Sequence, residues 1–152
     1  ENIDLSKAVD AKNLSTSLKG LKWITSINPN NPSQELENLK EVVRVLKKDK
    51  INKTLITDYQ VLAPISDIYD FSPNQWHHPT VSFPLRGQEY FKVYQNYFVR
   101  NIKKNKIEFI YETTENENTI TELIIDKDCF KKIRVSSMLV RLDLVKNCKD
   151  LK

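Results

Sequence analysis

At 152 residues the chain has the length of one domain and can bury a core of about two-thirds of its surface. Hydrophobic residues at 39% and charged residues at 29% exclude a disordered chain, and no apolar run nears the roughly 18 residues that cross a bilayer. The net charge of +4 is a mild basic bias, and its lysines come in ones and twos, as on a solvated surface. A nucleic-acid stripe would need them on one face, and weak attraction to anionic lipid headgroups would need only a few.

No basic start followed by an apolar centre marks a secretory leader. The first residue is Glu1, and the expectation is a single domain, 1–152, excised from a larger membrane protein. Residues 1–20 have no sustained period and read as an N-terminal arm, mobile unless packed down. Leu21–Thr25 reads as a short strand.

Asn28–Ser33 is a turn cluster that ends in a helix start. Asn31 is the cap, Pro32 the first helical residue, and Gln34 follows three after the cap. A helix is predicted over Pro32–Lys48, with Leu36, Leu39, Val42, Val43 and Leu46 on one stripe. Glu35, Glu37 and Glu41 sit early and Lys47 and Lys48 late, in keeping with the helix dipole.

The next strand is Thr54–Asp58, whose consecutive Leu55 and Ile56 suit burial on both faces. A short helix is expected from Pro64, then loop over 71–80, then a weak strand, Thr80–Phe83. A helix over Gly87–Asn105 would place Tyr90, Phe91, Tyr94, Tyr97, Phe98 and Ile102 along one side. Ile107–Glu112 is a strand and Glu115–Asn118 a polar turn. Thr119 with Glu122 forms a capping box for a short helix. Lys131–Ile133 leads into a last strand, where Met138, Val140, Leu142 and Leu144 alternate with Leu139, Arg141 and Asp143.

Strands alternating with helices predict an α/β, three-layer domain. Its sheet would be mainly parallel, with about 4–5 strands, helices on both faces and the C-terminal strand antiparallel at an edge. Cys129 and Cys148 bracket a β-like segment. A disulfide there would close a loop of ~20 residues and contribute about 3 kcal/mol. Free thiols are the alternative in a reducing compartment.

The chain has two glycines, Gly20 and Gly87. Dinucleotide fingerprints and P-loops need clustered glycines so that backbone N–H groups reach phosphate, so no nucleotide is expected. There is no Gly-x-Ser-x-Gly elbow. Cys129 and Cys148 lack a Cys/His cluster, and no metal and no cofactor are expected. His77 and His78 are adjacent, and neighbouring side chains seldom converge on one metal. Asp58 lies where a strand should end, and open α/β sheets bind ligands outside such ends. The loop from Tyr59 to Pro84 would cover that edge. Asp58, Tyr59, Trp76, His77, His78 and Arg86 are therefore the candidate ligand-binding residues, with rim packing and loop capping as the structural alternative.

Leu55-Ile56-Thr57-Asp58-Tyr59-Gln60, Trp76-His77-His78-Pro79-Thr80-Val81-Ser82-Phe83-Pro84, and Lys149-Asp150-Leu151-Lys152 after Cys148 resemble the C-terminal soluble region of bacterial polytopic membrane proteins. These are similar to glycosyltransferases of the C-type, dolichyl-phosphate-mannose-like class, over about Leu18–Lys152. The resemblance implies a domain that follows transmembrane helices and faces the periplasm, on the outer side of the bacterial inner membrane. The catalytic carboxylate of that class lies between membrane helices, so no catalytic residue carries over. The implied partners are the protein's own transmembrane region and a lipid-linked sugar or glycan acceptor, with no nucleic acid. The expected function is non-catalytic recognition within a membrane-bound glycosyltransferase-like protein. Two alternatives stand beside it. One is a free-standing soluble enzyme using Asp58 with His77 or His78 as acid–base groups. The other is a protein-interaction module.

Overall fold

The computed structural model describes residues 3–114 and 118–151. It is a mixed α/β fold around a four-stranded sheet whose strands stand in the order Lys53–Ile56, Phe109–Thr113, Leu139–Leu144, Phe130–Ser136. The polar turn expected at Glu115–Asn118 lies, apart from Asn118, outside the described residues.

The N-terminal arm is packed down. Three single turns of 3₁₀ helix are opened by Asp4, Asp10 and Ser15, whose side chains accept backbone N–H groups. β1 (Val9–Asp10) pairs antiparallel with β2 (Lys22–Trp23), and Ala11 and Leu14 are buried. Helix α1 spans Pro32–Lys48 as its cap and stripe predict. The Asn31 side chain accepts the Gln34 N–H at 3.2 Å, and Leu36, Leu39, Val42, Val43 and Leu46 are buried.

β3 (Lys53–Ile56) is buried throughout and pairs parallel with β4 (Phe109–Thr113), Leu55 opposite Tyr111. Between them lie α2 (Leu62–Ser66), a long loop and α3 (Phe91–Lys104). After α4 (Ile120–Ile124), β5 (Phe130–Ser136) and β6 (Leu139–Leu144) form an antiparallel hairpin, and β6 pairs antiparallel with β4. The expectation of a mainly parallel sheet is therefore corrected: β3–β4 is the parallel pair, and the other two pairs are antiparallel. The C-terminal strand is antiparallel but central, and β5 holds the edge. The exposed Lys131 and Lys132 hide the strand character of β5, and the two residues Ser137-Met138 suffice to turn it back.

Thr80–Phe83 is a turn with one bridge, Pro79 to Phe83, and not a strand. Thr80 has φ 65°, and the His78 carbonyl accepts the Val81 and Ser82 N–H groups. Helix α3 starts later than its periodicity predicts, because Tyr90 is left-handed at φ 66°. Its buried stripe is Phe91, Gln95, Phe98, Val99 and Ile102. Tyr90 and Tyr97 are exposed, contrary to the expected stripe. The tyrosines on its flank serve the loop instead. Tyr94 Oη accepts Asn74 Nδ2 at 2.8 Å, and Tyr97 Oη donates to the Pro73 carbonyl at 3.2 Å.

Hydrophobic side chains form two clusters. Leu55 and Tyr111 join the α1 residues, whereas Ile56 and Ile110 join the α3 residues. Alternate strand residues thus feed opposite clusters, as the pleat requires. Cys129 and Cys148 form a disulfide with Cα atoms 5.0 Å apart, fastening the C-terminal segment to the start of β5. The outer edge of β3 is covered by Asp70, whose carboxylate accepts the Leu55 N–H at 2.9 Å and the Ser72 N–H at 2.9 Å.

Candidate ligand-binding site

The carboxyl ends of β3 and β4 lie side by side because the pair is parallel. Thr57 follows β3, Thr113 closes β4, and the Thr113 hydroxyl donates to that of Thr57 at 2.7 Å. A cavity of about 250 Å³ opens there. Ile56, Thr57, Asp58 and His77 line one part, and Glu112, Thr113, Thr114, Asn118 and Ile120 the rest. Its position is the one that open α/β sheets use for ligands.

Asp58 lies just past β3 with an exposed side chain, and its Oδ1 is 4.0 Å from His78 Nε2. The His78 ring lies 6.3 Å from the exposed Trp76 ring, at an interplanar angle of 25°. Hydrogen bonds hold this loop segment. The His78 N–H donates to Ser82 Oγ at 2.7 Å, and Gln60 Nε2 donates to the carbonyls of Thr57 and Gln75. Trp76, His78 and Asp58 therefore form a continuous rim leading to the cavity.

His77 turns inward and is 6% exposed. Burial lowers its pKa to about 4, only partly offset by Asp58, so the imidazole is neutral at neutral pH. Its Nε2 is 3.3 Å from Ser72 Oγ, and its buried Nδ1 has no hydrogen-bond partner among the described residues.

Glu112 is the second buried titratable group. It accepts the Ile120 N–H at 2.6 Å, the Thr121 N–H at 2.8 Å and the Thr121 hydroxyl. Burial raises its carboxyl to about 7, against the opposing pull of those donors. It thereby holds the start of α4, whose own capping box joins Thr119 and Glu122. Both Glu112 oxygens are occupied, so its first task is structural.

Tyr59 and Arg86 go elsewhere. Tyr59 is buried in the α1 cluster, its ring 6.3 Å from Trp23 and its hydroxyl donating to Glu35 at 2.8 Å. Arg86 pairs with Asp126 at 3.0 Å and lies over the Phe91 ring. Asp58, Trp76, His77 and His78 are brought together; Glu112, Thr57, Thr113 and Asn118 join them unforeseen. Glu112 directly follows the apolar stretch Phe109-Ile110-Tyr111, and that was its available signal, since an acid in a buried strand needs partners.

Among the described residues no group of three or more His, Cys, Asp or Glu side chains could hold a metal, and no helix is long and apolar enough to cross a membrane. Compared with protein-family models, curated proteins and solved structures, the chain matches none. The functional reading therefore rests on residues and geometry.

Proposed function

We propose that this chain is a non-catalytic, extracytoplasmic recognition domain of a membrane-bound glycosyltransferase-like protein. The cavity at the ends of β3 and β4 would take a sugar of the acceptor or of a lipid-linked donor. The observation that carries the reading is the rim: an exposed indole, Trp76, beside the His78 ring, which lies 4.0 Å from the exposed carboxylate of Asp58, a residue lining a polar cavity. A sugar presents an apolar C–H face and a ring of hydroxyls. The first suits an aromatic platform, and the second suits carboxylate, amide and neutral imidazole partners. The Cys129–Cys148 disulfide supports an oxidising compartment. The resemblance noted in the sequence supports the membrane setting. The two hydrophobic clusters support a three-layer arrangement of helices about the sheet.

The test is a titration of isotope-labelled protein with neutral hexoses and disaccharides, followed by amide and indole NMR shifts. Shifts should concentrate at Trp76, Asp58 and Asn118. Trp76→Ala and Asp58→Asn should each weaken binding about tenfold. Shifts spread evenly, or none at millimolar sugar, would sink the reading.

The Asp58–His78 pair favours one second reading, a soluble enzyme using these groups for proton transfer. Turnover of a glycoside or ester by the isolated chain, abolished by His78→Ala, would favour that alternative.

A further inference from the structure

We propose that the outward side of α3 docks on an anionic phospholipid bilayer. Between residues 90 and 107 the chain carries Lys92, Arg100, Lys103, Lys104 and Lys106 and no carboxylate. The helix buries one stripe and turns a second apolar strip to solvent. Tyr90 is 67% exposed, Val93 66% and Tyr97 50%. Tyr97 also bonds the Pro73 carbonyl, whereas Tyr90 and Val93 stand exposed beside the cations. A shallow cavity of about 850 Å³ runs between α3 and the C-terminal segment, where Lys149 joins the basic side chains of the helix. The one carboxylate among its described lining residues, Asp150, is engaged by the Asp126 N–H at 2.8 Å and by Gln95 Nε2 at 3.3 Å.

Basic residues flanking an exposed apolar strip are the pattern of a helix that lies in a membrane interface. Tyrosine suits that depth, with its ring in the acyl boundary and its hydroxyl among headgroups. A polynucleotide would explain the cations but not Val93, which offers no stacking face. The surface is separate from the Trp76 rim and does not depend on the sugar reading.

Vesicle sedimentation tests it with the intact chain. Vesicles of phosphatidylcholine with added phosphatidylglycerol should bind the protein, and phosphatidylcholine alone should not. Binding should weaken as salt rises. Each lysine or arginine near an anionic surface is worth about fivefold, so Arg100→Gln with Lys104→Gln should weaken binding about 30-fold. Val93→Ser should weaken it a few-fold and leave the salt dependence unchanged. Melting curves matching the parent chain's establish that these surface variants fold. If the double variant does not fold, Val93→Ser and the lipid dependence of the parent chain decide. Equal partition onto both vesicle types, unchanged binding by a folded double variant, or tighter binding to an oligonucleotide at matched salt would each overturn the proposal. So would full displacement by inorganic phosphate at matched ionic strength. Sugar shifts at Trp76 are read separately and can fail or succeed on their own.

Discussion

Each hydrophobic cluster is bordered by one buried glutamate, and the two are held in different ways. Glu35 takes its three donors from two distant segments: Trp23 Nε1 at 2.8 Å and the Thr25 hydroxyl at 2.6 Å from one, and the Tyr59 hydroxyl at 2.8 Å from the other. It ties the N-terminal arm and the exit of β3 to the first turn of α1. Glu112 takes its donors from two adjacent residues, Ile120 and Thr121, and lies against a cavity. Burial alone does not define a carboxylate's role; where its donors come from does. A knot among distant segments is structural, whereas a local cap beside a cavity leaves a group whose charge still responds to pH.

Glu35→Ala should break the comparison most severely. It strands one indole N–H and two hydroxyls, each a buried or half-buried donor, and should cost about 4 kcal/mol in urea unfolding. Hydrogen exchange at Val9 and Trp23 should rise more than at Tyr111, because the arm loses its anchor. Uniform exchange changes would contradict the knot.

The other cluster relies on a covalent tie. Replacing Cys129 and Cys148 together by alanine should destabilise the fold by about 3 kcal/mol through the freed loop. Unfolding of the unmodified chain with and without reductant should show a loss of similar size. Equal midpoints would mean that Leu151 and Cys148 hold the C-terminal segment by packing alone.

The pH response sharpens the contrast between the glutamates. The Glu112 carboxyl is raised to about 7, so the folded state binds its proton more tightly than the unfolded chain does. That contribution is full below about 4.5 and is lost as pH rises to about 7, by about 3 kcal/mol at most. His77 acts in the opposite sense. Its lowered pKa stabilises the fold above 6.5, and that stability is lost as pH falls towards 4. The two largely cancel between about 4.5 and 6.5. Glu112→Gln should unmask a loss on acidification, and His77→Asn a loss on raising the pH. Identical pH profiles for all three chains would disprove the opposition.

The regular elements were legible because their signals are local. Asn31, Pro32 and the leucine stripe define α1, and Thr119 with Glu122 defines the start of α4. What depended on distant partners was not. The position of β6 follows from pairing with β4, which no property of Leu139–Leu144 encodes by itself. The α3 stripe was misplaced because Gln95 is buried, donating to the Ile124 carbonyl at 2.7 Å, while Tyr97 faces out. Glu35 looked like an ordinary acid in a first helical turn. Asp58 was legible as a strand-end residue, but Glu112 enters the same cavity only because β3 and β4 run parallel. Tyr59 and Trp76 are both aromatic loop residues, and only tertiary packing separates the one that is buried from the one that is not.

That last pair supplies the smallest expected effect on stability and the cleanest separation of roles. Trp76 is exposed and its ring contact is with the exposed His78, so Trp76→Ala should change unfolding free energy by less than about 0.5 kcal/mol. Tyr59→Phe removes a buried hydroxyl from Glu35 and should cost about 1 kcal/mol. The sugar response should invert this order, lost in Trp76→Ala and kept in Tyr59→Phe. A large indole turned to water with little stabilising role is a surface available for binding. If Trp76→Ala destabilises as much as Tyr59→Phe, the indole is packing the loop, and the rim is not free to receive a ligand.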